Sequence, residues 1–478
     1  MFKLVSTIIF FLVYLPFMNA QGLLEQESNL PSCGSYKFME HIDQKAEGFL
    51  NASDNLVLDL KKVIKKKKAQ KSQNDIYRIP VVFHIVHNVD EENMPDSVIT
   101  NQLEVLNECF RRTNANASNT REEFLPYVGD AKIEFYLAES DPEGLSTNGI
   151  TRTETAVEYF GGVLPYNASQ TAEIQEWVAD DFYANLFRLT DSAQGGIDPW
   201  DTERFLNIWV GDLRIFEPEV NNFEELFLVG LATPPIDHYN WPGDIVEPFS
   251  SYSRGVILHY VSLGANNPVS YPSPYQALNT SISSGKIAVH EVGHYLALRH
   301  IWGDGDCTAD DFIDDTPLKN APGVFNCNQF GNSCTDDING EDLPDMVENY
   351  MDYTSGECQN SFTLGQIEVM KEVVQTYYPD LADVVVSVNE ESFDEFLTIY
   401  PNPATKLLQI ELTDIALENS SKLIITDATG RLILDRTISD SPNDRYKTTI
   451  DISSLDPGYY LLHLSAGDFK VSKKWMKL

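Results

Sequence analysis

The residues best suited to chemistry lie in Val289-His290-Glu291-Val292-Gly293-His294-Tyr295-Leu296-Ala297-Leu298-Arg299-His300. On a helix, His290 and His294 are four apart and share a face, so both imidazoles reach one metal ion. Glu291 follows the first histidine and stands where a base for a bound water is needed. His300 comes six residues after His294, off that face on a rigid helix, so the chain must turn after Leu296 to bring it in. Three histidines with one open position is the ligand count of a catalytic zinc site. His-Glu-x-x-His alone also arises by chance on solvated helices. The third histidine and a second element downstream, Glu348-Asn349-Tyr350-Met351-Asp352-Tyr353-Thr354, argue against chance here. Met351 in a tight polar turn can form an apolar floor beneath the metal, and Tyr353 can hydrogen-bond an oxyanion.

The chain that must position these residues has 478 residues, 42% of them hydrophobic, and a formal charge of −38. That is enough for two or three domains with a sizeable core. So acidic a body repels nucleic acid and anionic membranes and suits a soluble secreted protein or a cation binder. Residues 1–20 read as a secretory signal, with Lys3, an apolar run from Leu4 to Phe17, and Ala20 at the exit. The run is short for a membrane span, and no later stretch qualifies, so no transmembrane anchor is expected in the mature form. Export implies an oxidising destination for the six cysteines, Cys33, Cys109, Cys307, Cys327, Cys334 and Cys358. Four of them fall in an irregular, Asp- and Gly-rich stretch that gains from cross-links, and four cysteines allow three pairings. Asp304, Asp306, Asp310, Asp311, Asp314 and Asp315 offer hard oxygen ligands suited to calcium, although their spacing is not that of an EF-hand and plain solvation explains them equally well.

In chain order, residues 21–75 read as a removable pro-segment, helical near Tyr36 to Leu60. It ends in the lysine run Lys61 to Lys68, expected to be exposed flexible chain open to proteolysis. A thiolate at Cys33-Gly34 within it can take zinc's open position and silence the site. Tyr77 to His87 is a buried strand. His84 and His87 are three apart on it and face opposite ways, so they are packed or surface residues rather than ligands. Pro95 to Arg112 is an amphipathic helix with Cys109 as a buried free thiol. Lys132 to Ala138, Phe205 to Gly211 and Val256 to Leu263 are further strands, the last a plausible edge to which an extended substrate adds. The order predicts an α/β half whose last helix carries His290 and His294. An acidic linker, 383–395, leads to short alternating strands from Phe396 onward (Leu397–Tyr400, Leu408–Leu412, Leu423–Asp427, Leu432–Leu434, Tyr459–Leu464), a small all-β sandwich without a catalytic constellation.

With these residues in view, His290 to His300 together with Asn349-Tyr350-Met351-Asp352-Tyr353 resembles the metzincin metalloproteases, and within them the pappalysin (cytophagalysin) family and its ulilysin-like bacterial members. The resemblance runs from about residue 78 to 382. It implies an α/β (α+β) catalytic domain, 76–382, with a twisted mixed sheet, an active-site helix and an irregular C-terminal subdomain. It implies a secreted zinc endopeptidase acting on proteins or peptides, with His290, His294 and His300 as zinc ligands and Glu291 as general base and acid. Met351 would be the Met-turn and Tyr353 a switch tyrosine. It further implies the disulfides Cys307–Cys334 and Cys327–Cys358, and a structural calcium ion held by the Asp311 and Thr316 side chains and the carbonyls of Asp310 and Asp314. Glu357 would lie at the base of the pocket after the scissile bond, favouring cleavage before Arg or Lys, and Cys33-Gly34 is similar to the latency motif. One position departs from the family pattern: Ala297 stands where Gly is usual, and there a positive φ costs Ala roughly 1 kcal/mol or more. Residues 396–478, with Tyr400-Pro401-Asn402-Pro403-Ala404 and Asp456-Pro457-Gly458-Tyr459, resemble the type A sorting domain of the type IX secretion system. That implies handling by its machinery, export across an outer membrane and removal of the domain.

Two other classes fit the same residues. One is a secreted zinc-binding or adhesin module without turnover. The other is a gluzincin-type peptidase whose third ligand is a later glutamate such as Glu348, against which Met351 argues.

Overall fold

The computed structural model describes residues 32–45, 47–67, 75–162, 183–214, 228–235, 252–270, 282–323, 327–385, 397–413, 421–427, 431–438, 445–466 and 469–478. The expected signal at 1–20, the end of the lysine run at Lys68 and most of the linker lie outside the described residues. The chain divides into two units, the first reaching Val384 and the second made mainly of Val385–Leu478.

In the first unit, β2 (Ile76–His87) is apolar on both faces because the sheet is covered on both; Val81, Val82, Phe83, Ile85 and Val86 are fully buried. Helix α3 (Asp96–Phe110) follows and packs through Phe110 edge-on against Phe135, ring centroids 4.9 Å apart. Strands β3 (Ile133–Leu137), β4 (Ile150–Glu154) and β5 (Leu206–Gly211) all run parallel to β2. Between β4 and β5 lies a short helix, α4 (Tyr183–Phe187). Strand β6 (Leu228–Ala232) is antiparallel to β7 (Val256–His259), which is parallel to β5. With β8 (Asp383–Val385) on β2 the sheet has eight strands, ordered β1-β6-β7-β5-β2-β3 along its main path, where β1 is Ser32–Cys33. It is a mixed α/β sheet, as expected. Helix α5 (Lys286–Tyr295) then carries the histidine motif, and α6 (Leu364–Tyr377) closes the unit under a capping box of Thr363 and Gln366.

Three expectations are corrected. The strand read as Val256–Leu263 ends at His259, where a 3-10 turn (Tyr260–Ser262) takes over, and it is interior rather than an edge. The strand beyond it is β6, whose short Leu-Val-Gly-Leu-Ala run carried no turn signals to mark it. The segment expected to be a pro-segment holds two helices, α1 (Ser35–Lys45) and α2 (Phe49–Lys67), instead of one. The lysine run is helical through Lys67 because α2 lays Leu56, Val57, Leu60 and Ile64 into the core while Lys62 and Lys65 face outward. Between α5 and α6 the chain is irregular, pinned by Cys307–Cys334 and Cys327–Cys358. Cys33 and Cys109 are free and buried.

The second unit holds two antiparallel sheets, ordered β13-β10-β9 and β12-β11-β14-β15. The strands are β9 (Leu397–Tyr400), β10 (Leu407–Thr413), β11 (Lys422–Asp427), β12 (Leu432–Thr437), β13 (Arg445–Asp451), β14 (Gly458–Ala466) and β15 (Phe469–Lys477). Alternate residues such as Leu408, Ile410, Leu423, Ile425, Leu462, Leu464 and Trp475 form its core. β13 and β15 escape a reading by hydrophobicity because charged and hydroxyl residues fill most of their positions.

Candidate metal centre

Helix α5 brings His290 and His294 together as the spacing predicts: their Nε2 atoms are 3.0 Å apart, and His294 Nε2 is 3.1 Å from His300 Nε2. The third histidine arrives through a tight helix end. Leu298 N–H donates to Gly293 O at 2.9 Å and Ala297 N–H to His294 O at 2.9 Å, a Schellman ending with Ala297 at φ +68°. The bend expected to want glycine is made by alanine.

Each ring is held by its other nitrogen. His290 Nδ1 lies 2.8 Å from Tyr350 O, His294 Nδ1 2.8 Å from Leu298 O, and His300 Nδ1 bonds the Asp304 carboxylate. These acceptors place the proton on each Nδ1 and leave three Nε2 lone pairs facing one another. Bare lone pairs at that distance repel; a cation between them removes the conflict. The edges are close to the ~3.3 Å of a tetrahedron with zinc–nitrogen bonds near 2.0–2.1 Å. Burial also keeps two of the rings neutral: desolvation, reinforced by His300, takes His290 down to about 3, and His294 is lowered by the same causes. The residues therefore fit a zinc ion. Asp304, which the sequence offered as a calcium ligand, is instead 5% exposed and bound to His300. Its i+4 spacing from His300 was the available signal.

Met351 is fully buried against α5. A Cβ on Gly293 would overlap Met351 Sδ and stand 3.2 Å from its Cε, so helix and turn touch only because position 293 has no side chain. Asn349 ties the turn to α6 through Gln366, at 2.9 and 3.2 Å. Glu291 is fully buried, and desolvation pushes it up to about 8, against hydrogen bonds from Cys33 and Ser35. Strand β6 approaches it so closely that a Cβ on Gly230 would lie 2.7 Å from Glu291 Cγ.

The N-terminal segment enters this cleft. Its β1 pairs parallel with β6, setting Cys33 opposite Gly230. Cys33 completes a four-residue donor set with the three histidines, all ligand atoms lying within 4.8 Å of one another. Cys33 Sγ is 3.4 Å and Ser35 Oγ 2.9 Å from Glu291 Oε2, and Ala232 N–H donates to Ser35 Oγ at 2.9 Å. Tyr353 hydroxyl donates to Cys33 O at 3.2 Å. Ser35 was missed from the sequence, where nothing separates it from any other serine. Of the expected calcium ligands, Asp311 is 2% exposed; its Oδ1 accepts from Thr316 Oγ1 at 2.8 Å, while its Oδ2 has no partner among the described residues. Asp310 and Asp314 flank it. Lys61 of α2 reaches this loop, 2.6 Å from Phe312 O and 2.7 Å from Asp314 Oδ1. Asp306 is spent on a turn with Thr308. Glu357 is exposed beside the Cys358 disulfide. Glu348, the rival ligand, pairs with Arg121 at 2.7 Å.

Comparison with known proteins agrees with this geometry. Residues 261–375 match the family described as pregnancy-associated plasma protein-A. A promirolysin mutant from Tannerella forsythia is 33% identical at a TM-score of 0.53, covering 74% of this chain and 99% of that one. The chain belongs to the pappalysin family of zinc metalloproteases. Extracellular metalloproteases from Aspergillus fumigatus (34% identical over 183 residues, 38% of this chain and 51% of that protein) and Arthroderma benhamiae (38% over 90 residues, 18% and 29%) are also similar. The chain thus spans about half or less of the length of these curated relatives. Residues 398–477 match a secretion-system C-terminal sorting domain. With that domain and these extracellular relatives, this family member is a secreted protein, and no described helix is long and apolar enough to cross a membrane.

Proposed function

We propose that the chain is a secreted zinc endopeptidase made in latent form. The convergence of three Nε2 atoms, each ring fixed from behind by an acceptor, carries the reading; Glu291 adjoins them. His290, His294 and His300 would hold zinc, which would supply Lewis acidity toward a peptide carbonyl and the attacking water. Glu291 takes the water's proton and gives it to the leaving amine, its pKa raised by burial toward the range where it can do both. The Tyr353 hydroxyl, freed from Cys33 O, donates to the carbonyl oxygen as that oxygen becomes negative. Met351 and the three acceptors behind the rings keep the histidines from rotating. In the test, Glu291→Ala retains about one zinc per chain and loses casein cleavage by orders of magnitude; full activity in that variant refutes the assignment.

Residues 21–75 act as the pro-segment, with Cys33 at the fourth zinc position and Ser35 on the general base. Calcium is the proposed occupant of the loop at Asp310, Asp311, Asp314 and Thr316, supported by the unpartnered, buried Oδ2 of Asp311. Calorimetric titration of the chelated protein with calcium tests this, and an unchanged heat signal in wild type relative to Asp311→Ala counts against it. Glu357 is proposed to favour Arg or Lys after the scissile bond, a preference that Glu357→Gln should weaken in cleavage-site profiles. The C-terminal unit, 396–478, would engage the type IX machinery and be removed after export; retention of a chain lacking it inside the cell envelope is the expected result.

A further inference from the structure

Beside the zinc-site histidines lies a cation that the proposed mechanism leaves unused. Arg299, between Leu298 and His300, has a side chain only 10% exposed. Its guanidinium lies 5.4 Å over the Phe312 ring, one terminal nitrogen is 3.5 Å from Gly303 O, and its Nε has no partner among the described residues. Its close charged partner comes from the pro-segment: Asp54 of α2 bonds Nη1, while Asp304, already engaged by His300, stands farther off at 3.8 Å. A small cavity of about 20 Å³ shows where this group sits. Its walls are Arg299, His294 and Ala232 together with Ser35, Ser53 and Leu56 of the pro-segment. The same space therefore touches a zinc-site histidine, strand β6, which lies against Glu291, and the guanidinium.

We infer that Arg299 is a specificity residue that receives an acidic side chain of the substrate, and that Asp54 fills its place in the latent chain. The inference deepens the proteolytic reading and rests on it. Its physical basis is preorganisation. Stacked on Phe312 and tied to Gly303, the guanidinium has little freedom left to lose when a carboxylate arrives. When α2 leaves, the charge loses Asp54 and faces the cleft, while Asp304 remains shared with His300. In a chain with 34 basic against 72 acidic residues, such a fixed cation beside the cleft distinguishes an acidic residue from its neutral amide. The side of the cleft also follows. Cys33 marks the zinc position opposite Gly230, and the Arg299 cavity lies toward Ala232 and Pro234, further along β6. A substrate antiparallel to β6 places residues before the scissile bond there, on the opposite side from a pocket that favours Arg or Lys after it.

The test profiles cleavage of a peptide library by the processed protein, with the pro-segment cut at a protease site inserted in 68–74. Wild type should enrich Asp and Glu at one position before the scissile bond, with kcat/KM roughly tenfold above the Asn or Gln peptide, as for a partly desolvated charge pair. Arg299→Lys should keep most of the preference, Arg299→Gln should abolish it, and Arg299→Glu should reverse it toward Lys. Zinc content, measured for each variant, separates this from damage transmitted through Asp304 to His300, which would lower cleavage of acidic and neutral peptides alike. A wild-type profile without acidic enrichment overturns the proposal, as does enrichment that survives in Arg299→Glu. Absence of all cleavage by wild type sinks the proteolytic reading instead; binding of the Asp peptide over the Asn peptide by the same processed protein then decides the subsite, and equal affinities refute it.

Discussion

Gly293 offers a substitution whose sign depends on one neighbour. It sits within α5, where alanine is favoured over glycine by about 0.8–1 kcal/mol. A Cβ at 293 would, however, overlap Met351 Sδ and stand 3.2 Å from its Cε. Met351 is fully buried, so the thioether cannot swing into solvent, and overpacking of this kind costs roughly 1–3 kcal/mol. Gly293→Ala should therefore range from neutral to about 2 kcal/mol destabilising in the wild-type background. Met351→Ala removes both the sulfur and the Cε methyl, leaving a space that a methyl at 293 partly fills. There the helix preference is unopposed, and Gly293→Ala should stabilise by about 1 kcal/mol. The coupling in the double-mutant cycle should thus be about 1–3 kcal/mol, with a change of sign. Urea titration of the four proteins, chelated and then zinc-loaded, measures it. If Gly293→Ala shifts stability equally in both backgrounds, Met351 does not floor this helix as described.

Three further outcomes follow from the same geometry. Ala297→Gly relieves the left-handed strain at φ +68° but removes a methyl that is 5% exposed and frees the unfolded chain, so stability should change by less than about 1 kcal/mol; a thermal melt shifted by more than a few degrees contradicts this. His84, buried between Thr151 Oγ1 at 2.7 Å and Asn207 Oδ1 at 2.9 Å, is lowered to about 4 by desolvation. Because its folded pKa lies below the unfolded value, its contribution is complete above about pH 6.5 and is lost as pH falls toward 4, amounting to up to about 3 kcal/mol; denaturant melts from pH 7 to 4 should show a shallower decline in His84→Gln. Cys33→Ala should raise casein cleavage by the full-length chain, and Ser35→Ala, which frees only Glu291, should raise it less. If both variants stay as silent as wild type, the latent contacts lie elsewhere.

Much of the site was legible in order along the chain. His290, Glu291 and His294 are neighbours on one helix, where residue spacing and geometry are equivalent. The need for a turn before His300, and its cost at Ala297, also followed from local backbone rules. The sheet was less readable. β6 is a short run of small and branched residues made into a strand by β7 on one side and β1 on the other, and no local signal reports a partner far away in sequence. The lysine run misled because composition describes the exposed face of α2 and says nothing of Leu56, Leu60 and Ile64 beneath it.

By itself, then, the sequence determined the metal chemistry, the family, the division into a catalytic unit and a small β unit, and the residues whose types suit each role, because these depend on spacings of a few residues. Only the tertiary structure decided what surrounds them. It aimed each Nδ1 at its acceptor and placed Asp304 behind His300 instead of in a calcium loop. It brought Ser35 to Glu291 across 256 positions and Asp54 to Arg299 across 245. Contacts at that separation are set by how the whole chain packs, and a window of sequence holds no trace of them.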